Sequence, residues 1–145
     1  MITNEVQYRA TRTHLNRFEE AISNLEGQTP AVREQKRRSL ELGALRSQAA
    51  DLKAELAEYE LLRSGKLTRF EASSLADLAE ALVKARIAKG WTQRQLADAL
   101  GVAEQQIQRY EGTGYAAASL ARLCDVAEAL GTEVREVVSL SPDAA

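Results

Sequence analysis

Glu104, Gln105, Gln108 and Arg109 are side chains of the types that make paired hydrogen bonds to flat polar edges. If residues 103–111 are helical, steps of one, three and four place all four on one face, with Ile107 and Tyr110 turned the other way. The chemistry open to such a face is the reading of bases: an amide pairs with adenine, a guanidinium with guanine, and a carboxylate accepts from the cytosine amino group. Taken alone, the same residues would be an ordinary solvated helix surface. Just upstream, Thr92, Gln93 and Arg94 open another helical segment, where free backbone N–H groups and the positive end of the helix dipole favour phosphate. Thr92 is better suited to capping its own helix than to touching a ligand. Gln106, at the edge of the reading face, and Thr113, in the loop Gly112-Thr113-Gly114-Tyr115, are further phosphate candidates, since glycines let a backbone approach closely. Tyr115 fits a core position as well as a phosphate contact.

Other chemistries find little support. His14 stands alone on a predicted surface helix, and Cys124 lies in an apolar stretch with Leu120, Leu123, Val126 and Ala127, where it reads as a small core residue. One Cys and one His leave neither a disulfide nor a Cys/His zinc site, and the single thiol points to the cytosol. No triad, phosphate loop or H-E-x-x-H is present, so neither an enzyme, a metal nor a cofactor is expected. The start MITNEVQYRATR has no apolar stretch, and no run approaches the roughly 20 residues that a membrane span needs. The net charge of -2 excludes a histone-like binder. Residues 67–145 hold 8 Lys/Arg against 11 Asp/Glu, so any nucleic-acid contact there needs its cations gathered on one face.

The elements that would position these residues are all helices, as 145 residues rich in Ala, Leu, Glu, Arg and Gln with two Pro imply. Ser74 with Asp77 starts a helix that runs to about Lys89, and Thr92 with Gln95 starts one that ends at Leu100-Gly101. A short helix over 103–111 follows, then one over about 118–130 closed by Gly131. Val134, Val137 and Val138 at helical spacing predict a fifth, within 132–140. Leu96, Ala97, Leu100, Val102 and Ile107 would be the packed interior of the corner, with Gly101 in a left-handed turn.

Residues 1–66 have a different texture. Tyr8, Thr11, Leu15, Phe18, Ile22 and Leu25 repeat at three and four, and predict a helix over about 3–26. Gly27 stops it, and Thr29-Pro30 signals the next helix, with Leu42, Leu45, Ala49, Leu52, Leu56 and Tyr59 as its seam and Ser64-Gly65 as its end. A second helix about 50 Å long would fold against the first as a coiled-coil-like antiparallel hairpin. Such an arm serves dimerisation, partner binding, or packing on its own domain. Its basic stretch Arg33–Arg38 reads as a solvated face. The expected organisation is an arm over 1–66, a linker over 67–73 and a compact domain over 74–140.

The run from Arg86 through Gly90-x-Thr92-Gln93-x-x-Leu96-Ala97-x-x-Leu100-Gly101-Val102 to Ile107-x-x-Tyr110-Glu111 closely resembles the phage-repressor/Cro-like, or XRE-type, helix-turn-helix family. The resemblance covers about residues 74–131. It implies a five-helix repressor-like domain that binds double-stranded DNA, with 103–111 as the major-groove recognition helix. It also implies base contacts at Glu104, Gln105 and Arg109, a phosphate grip at Gln93, and a partly buried ion pair between Arg86 and Glu111. Two positions depart from the pattern: Ala103 stands where the family carries a capping Ser or Thr, and Glu104 brings a carboxylate toward a polyanion. Both weaken affinity, so the expected form is a homodimer on a palindromic operator: a repressor or autoregulator at the nucleoid of a bacterial or phage-infected cytoplasm. The arm plus domain also looks like antitoxins of HigA-like type, a weaker likeness that implies a toxin protein as partner of the hairpin.

Overall fold

The computed structural model describes residues 1–140, in which there are helices and no strand. The first helix, α1, spans Glu5–Glu26; Asn4 caps it by accepting a hydrogen bond from the Gln7 amide at 2.9 Å. All six expected seam residues of α1 are at least partly buried. The chain then turns later than Thr29-Pro30 predicts: a 3-10 turn at Val32–Glu34 precedes α2, which spans Gln35–Arg63. The physical reason lies in Arg38, whose guanidinium donates to the carbonyls of Leu25 and Gln28. It adds to the Leu25 carbonyl's bond from the Gln28 amide, gives the Gln28 carbonyl a donor, and ties α2 to the turn. At 29 residues α2 is about 44 Å long, shorter than expected by the lost first turn. The two helices pack as an antiparallel hairpin, with Glu19–Lys53 at 3.0 Å and Glu26–Arg46 at 2.5 Å bridging its flanks.

The base of this hairpin is part of the C-terminal core. Ile2, Tyr8, Leu56, Tyr59 and Leu62 belong to one buried cluster with Leu82, Val83, Ile87, Leu96, Ile107 and Val126. Tyr8 and Tyr59 meet at 5.3 Å between ring centres, and the Tyr8 hydroxyl donates to Glu60, which holds its pKa above the usual phenol range. The change of texture near residue 70 is therefore a boundary in sequence and not in packing. Farther out, Phe18, Ile22, Leu25, Leu42, Leu45 and Leu52 stay half-buried, because among the described residues α1 and α2 have only each other there.

Four helices make up the rest: α3 (Leu75–Ala88), α4 (Gln93–Leu100), α5 (Glu104–Gly112) and α6 (Leu120–Leu130). Ser74 and Ser119 cap α3 and α6, and Thr92 with Gln95 forms a complete capping box on α4. Gly101, at φ 67°, supplies the left-handed residue on which the α4–α5 corner turns. The expected fifth helix is absent: residues 132–140 have no regular secondary structure. Val137, Val138 and Leu140 are more than nine-tenths exposed, and so short a helix does not hold without an apolar surface to cover. Cys124 is likewise not in the core. It is exposed, since α6 buries Val126 and Leu130 on the face opposite to it.

Candidate nucleic-acid interface

The corner between α4 and α5 is held from within. Leu96 and Ile107 are completely buried, Ala97 nearly so, and the Val102 amide donates to the Ala97 carbonyl at 3.0 Å. With Ile107 and Glu111 turned inward, α5 has a definite outer face. On it Gln105, Gln108 and Arg109 are exposed and Glu104 is half-buried, and none of their side chains is engaged within the described residues. Arg94 and Asp98 of α4 and Glu104, Gln105 and Gln108 of α5 line one cleft together with Val102 and Ala103. Arg94 and Arg109 supply the positive charge and Asp98 and Glu104 the negative, so this surface is nearly neutral. As the sequence implies, Ala103 gives α5 no side-chain cap.

The phosphate candidates divide. Arg94 is exposed and free of ion pairs among the described residues. The amides of Gln93 and Arg94 precede the first intrahelical bond of α4, from Leu96 N–H to Thr92 O, and are open to an acceptor. Thr92 accepts from the Gln95 amide at 3.1 Å, which leaves its own hydroxyl proton free. Gln106 is half-buried at the edge. Two others are placed differently from expectation. Gln93 is 4% exposed; its Nε2 donates to Glu111 Oε2 at 2.7 Å and its Oε1 accepts from Asn4 at 3.1 Å, so its side-chain amide is committed to the interior and only its backbone N–H faces outward for phosphate. The Thr113 hydroxyl donates to the Arg109 carbonyl at 2.9 Å and its amide to the same carbonyl at 3.2 Å, so neither donor is left over. Tyr115 is a core residue: it is buried, stacked on Tyr110 at 5.5 Å, and adopts a left-handed φ of 59°. Burial, reinforced by the nearby Glu111 charge, drives its hydroxyl pKa up.

Beneath α5 lies a buried ionic network. Arg86 Nε and Nη2 donate to Glu111 Oε1 and Oε2 at 2.5 and 2.8 Å, a bidentate pair that joins α3 to the end of α5. Arg86 also donates from Nη1 to Trp91 O at 2.7 Å and from Nη2 to Thr3 O at 2.6 Å. Sequence reasoning missed Ile2, Thr3 and Asn4 as members of this site. The one local signal, an Asn three residues before a Gln, marks a helix start and says nothing of a contact 89 residues away.

Among the described residues no cluster of three or more His, Cys, Asp or Glu is placed to hold a metal, and no helix is long and apolar enough to cross a membrane. Residues 82–137 match the sequence model of the helix-turn-helix family, a span that begins inside α3 and includes the corner, α5 and α6. No curated protein and no solved structure matches the chain.

Proposed function

We infer that the chain, which carries a helix-turn-helix domain over residues 82–137, is a DNA-binding regulator of the XRE type and, more closely, a sequence-specific, autoregulatory repressor that acts as a dimer. The observation that carries this reading is the outer face of α5. An Arg and two Gln side chains stand there unengaged, on a helix whose other face is fixed by Ile107 and Glu111. Laid in the major groove, that face offers Arg109 to guanine, Gln105 and Gln108 to adenine, and Glu104 to a cytosine amino group. Phosphate contacts come from Arg94, the Thr92 hydroxyl, the first amides of α4 and, at the edge, Gln106. With so few cations one domain binds weakly, and two half-sites joined by dimerisation supply the rest. The hairpin is the element available to join them.

The experiment is a titration by fluorescence anisotropy of a duplex enriched by the full chain from a random pool, against a scrambled duplex, across salt. Preference for the enriched duplex that weakens steeply with salt supports the reading. Equal weak binding to both refutes it. A second reading, in which the hairpin also docks on a toxin protein while the domain represses, is favoured by the distal seam of α1 and α2, whose apolar residues have no third helix over them. A stable complex with such a partner that is lost on Phe18→Asp, with DNA binding retained, would support it.

A further inference from the structure

We propose that Asn4 and Thr3, at the start of the hairpin, are positioning residues for the DNA-reading helix, acting through Gln93 and Arg86. The inference rests on the DNA-binding reading of α5. The Glu111 carboxylate, which anchors the C-terminal end of α5, accepts three hydrogen bonds, two from Arg86 and one from Gln93. Each of those donors is in turn held by the N-terminal segment. Thr3 O accepts from Arg86 Nη2, and Asn4 Nδ2 donates to Gln93 Oε1. Ile2 is buried in the core beside them. Arg86, Gln93, Glu111 and Thr3 are all buried, so water does not substitute readily for a lost partner, and hydrogen bonds in such surroundings reinforce one another.

The orientation of the Gln93 amide gives Asn4 its part. With Nε2 donating to Glu111, Oε1 must face the other way and needs a donor, which Asn4 Nδ2 supplies. An acceptor at position 4 would invite the amide to turn over. Oε1 would then face the Glu111 carboxylate, acceptor against acceptor, and the seat of α5 would loosen. Asn4 has a separate local duty, since its Oδ1 caps α1 through the Gln7 amide. Asp at this position caps as well as Asn but cannot donate. Asn4→Asp therefore separates the two roles.

The test uses the full chain, the enriched duplex, and hydrogen exchange of the α5 and α6 amides. Asn4→Asp is expected to keep the helix content, to speed exchange in α5 and not in α6, and to weaken DNA binding about fivefold, the size of one lost hydrogen bond. In a Gln93→Met background, where position 93 neither turns over nor repels, Asn4→Asp is expected to change affinity less than about twofold. Wild-type affinity and wild-type α5 exchange in Asn4→Asp would overturn the proposal. So would an equal loss in the Gln93→Met background, because the effect would not then pass through Gln93. If the unaltered chain enriches no duplex, the DNA-binding reading fails instead, and exchange in α5 still decides whether Asn4 positions that helix.

Discussion

Replacing Glu111 by alanine removes the acceptor of three hydrogen bonds and leaves the Arg86 guanidinium, 2% exposed, without its counter-charge. Deleting one partner of a buried pair costs about 3–5 kcal/mol, because the other stays desolvated and unpaired. Here Arg86 keeps two acceptors, Trp91 O at 2.7 Å and Thr3 O at 2.6 Å, which places the loss near the lower end, about 3 kcal/mol. In a chain of this size each kcal/mol lowers Tm by roughly 2–4 °C, so a drop of about 6–12 °C is expected. Arg86→Met with Glu111→Leu, which removes both charges and fills the space, is expected to recover only part of that loss, because Gln93 Nε2, Trp91 O and Thr3 O are then left without their partners. Urea unfolding followed by circular dichroism measures all three proteins. A loss under about 1 kcal/mol in Glu111→Ala would refute the assignment of the pair as the buried anchor of α5.

Three further outcomes follow from particular contacts. Leu62, 1% exposed in the core shared by hairpin and domain, should cost about 2–5 kcal/mol as alanine, with hairpin and domain still melting in one transition in a fluorescence and circular dichroism comparison. Ala103→Thr should add about 1 kcal/mol to stability by capping α5, measured as a rise in the urea midpoint, since the present residue makes no cap hydrogen bond. Tyr115→Phe should be neutral or stabilising by about 1 kcal/mol in the same assay, because the hydroxyl is buried without a partner among the described residues while the ring stacks on Tyr110.

What could be read from the sequence was whatever local chemistry decides. The three-four steps from Tyr8 to Leu25 and from Leu42 to Tyr59 mark the hairpin because two facing seams bury those positions whatever else the chain does. Thr92 with Gln95, and Gly101 at the corner, mark α4 and its end because capping and left-handed turns depend on neighbours alone. Where distant residues decide, the local signals mislead. Pro30 suggests a helix start, yet Arg38 reaching back to the end of α1 sets the turn and delays α2. Val134–Val138 has helical spacing but no surface to pack on, and Cys124 lies among apolar residues yet off the buried stripe of α6. Gln93 holds the position that suits phosphate, but Asn4 and Glu111, 89 residues before it and 18 after it, claim its side chain.

On the proposed function, α5 reads bases through Arg109 and its neighbouring amides. The most direct test is to enrich duplexes from a random pool with the parent chain and with Arg109→Ala, and to compare the sequences base pair by base pair. A two-fold symmetric motif is expected for the parent, and for the variant the loss of preference at one base pair in each half-site, worth about 1–3 kcal/mol of discrimination, with the rest of the motif retained. No enriched motif for the parent, or the same motif for both proteins, would contradict this reading.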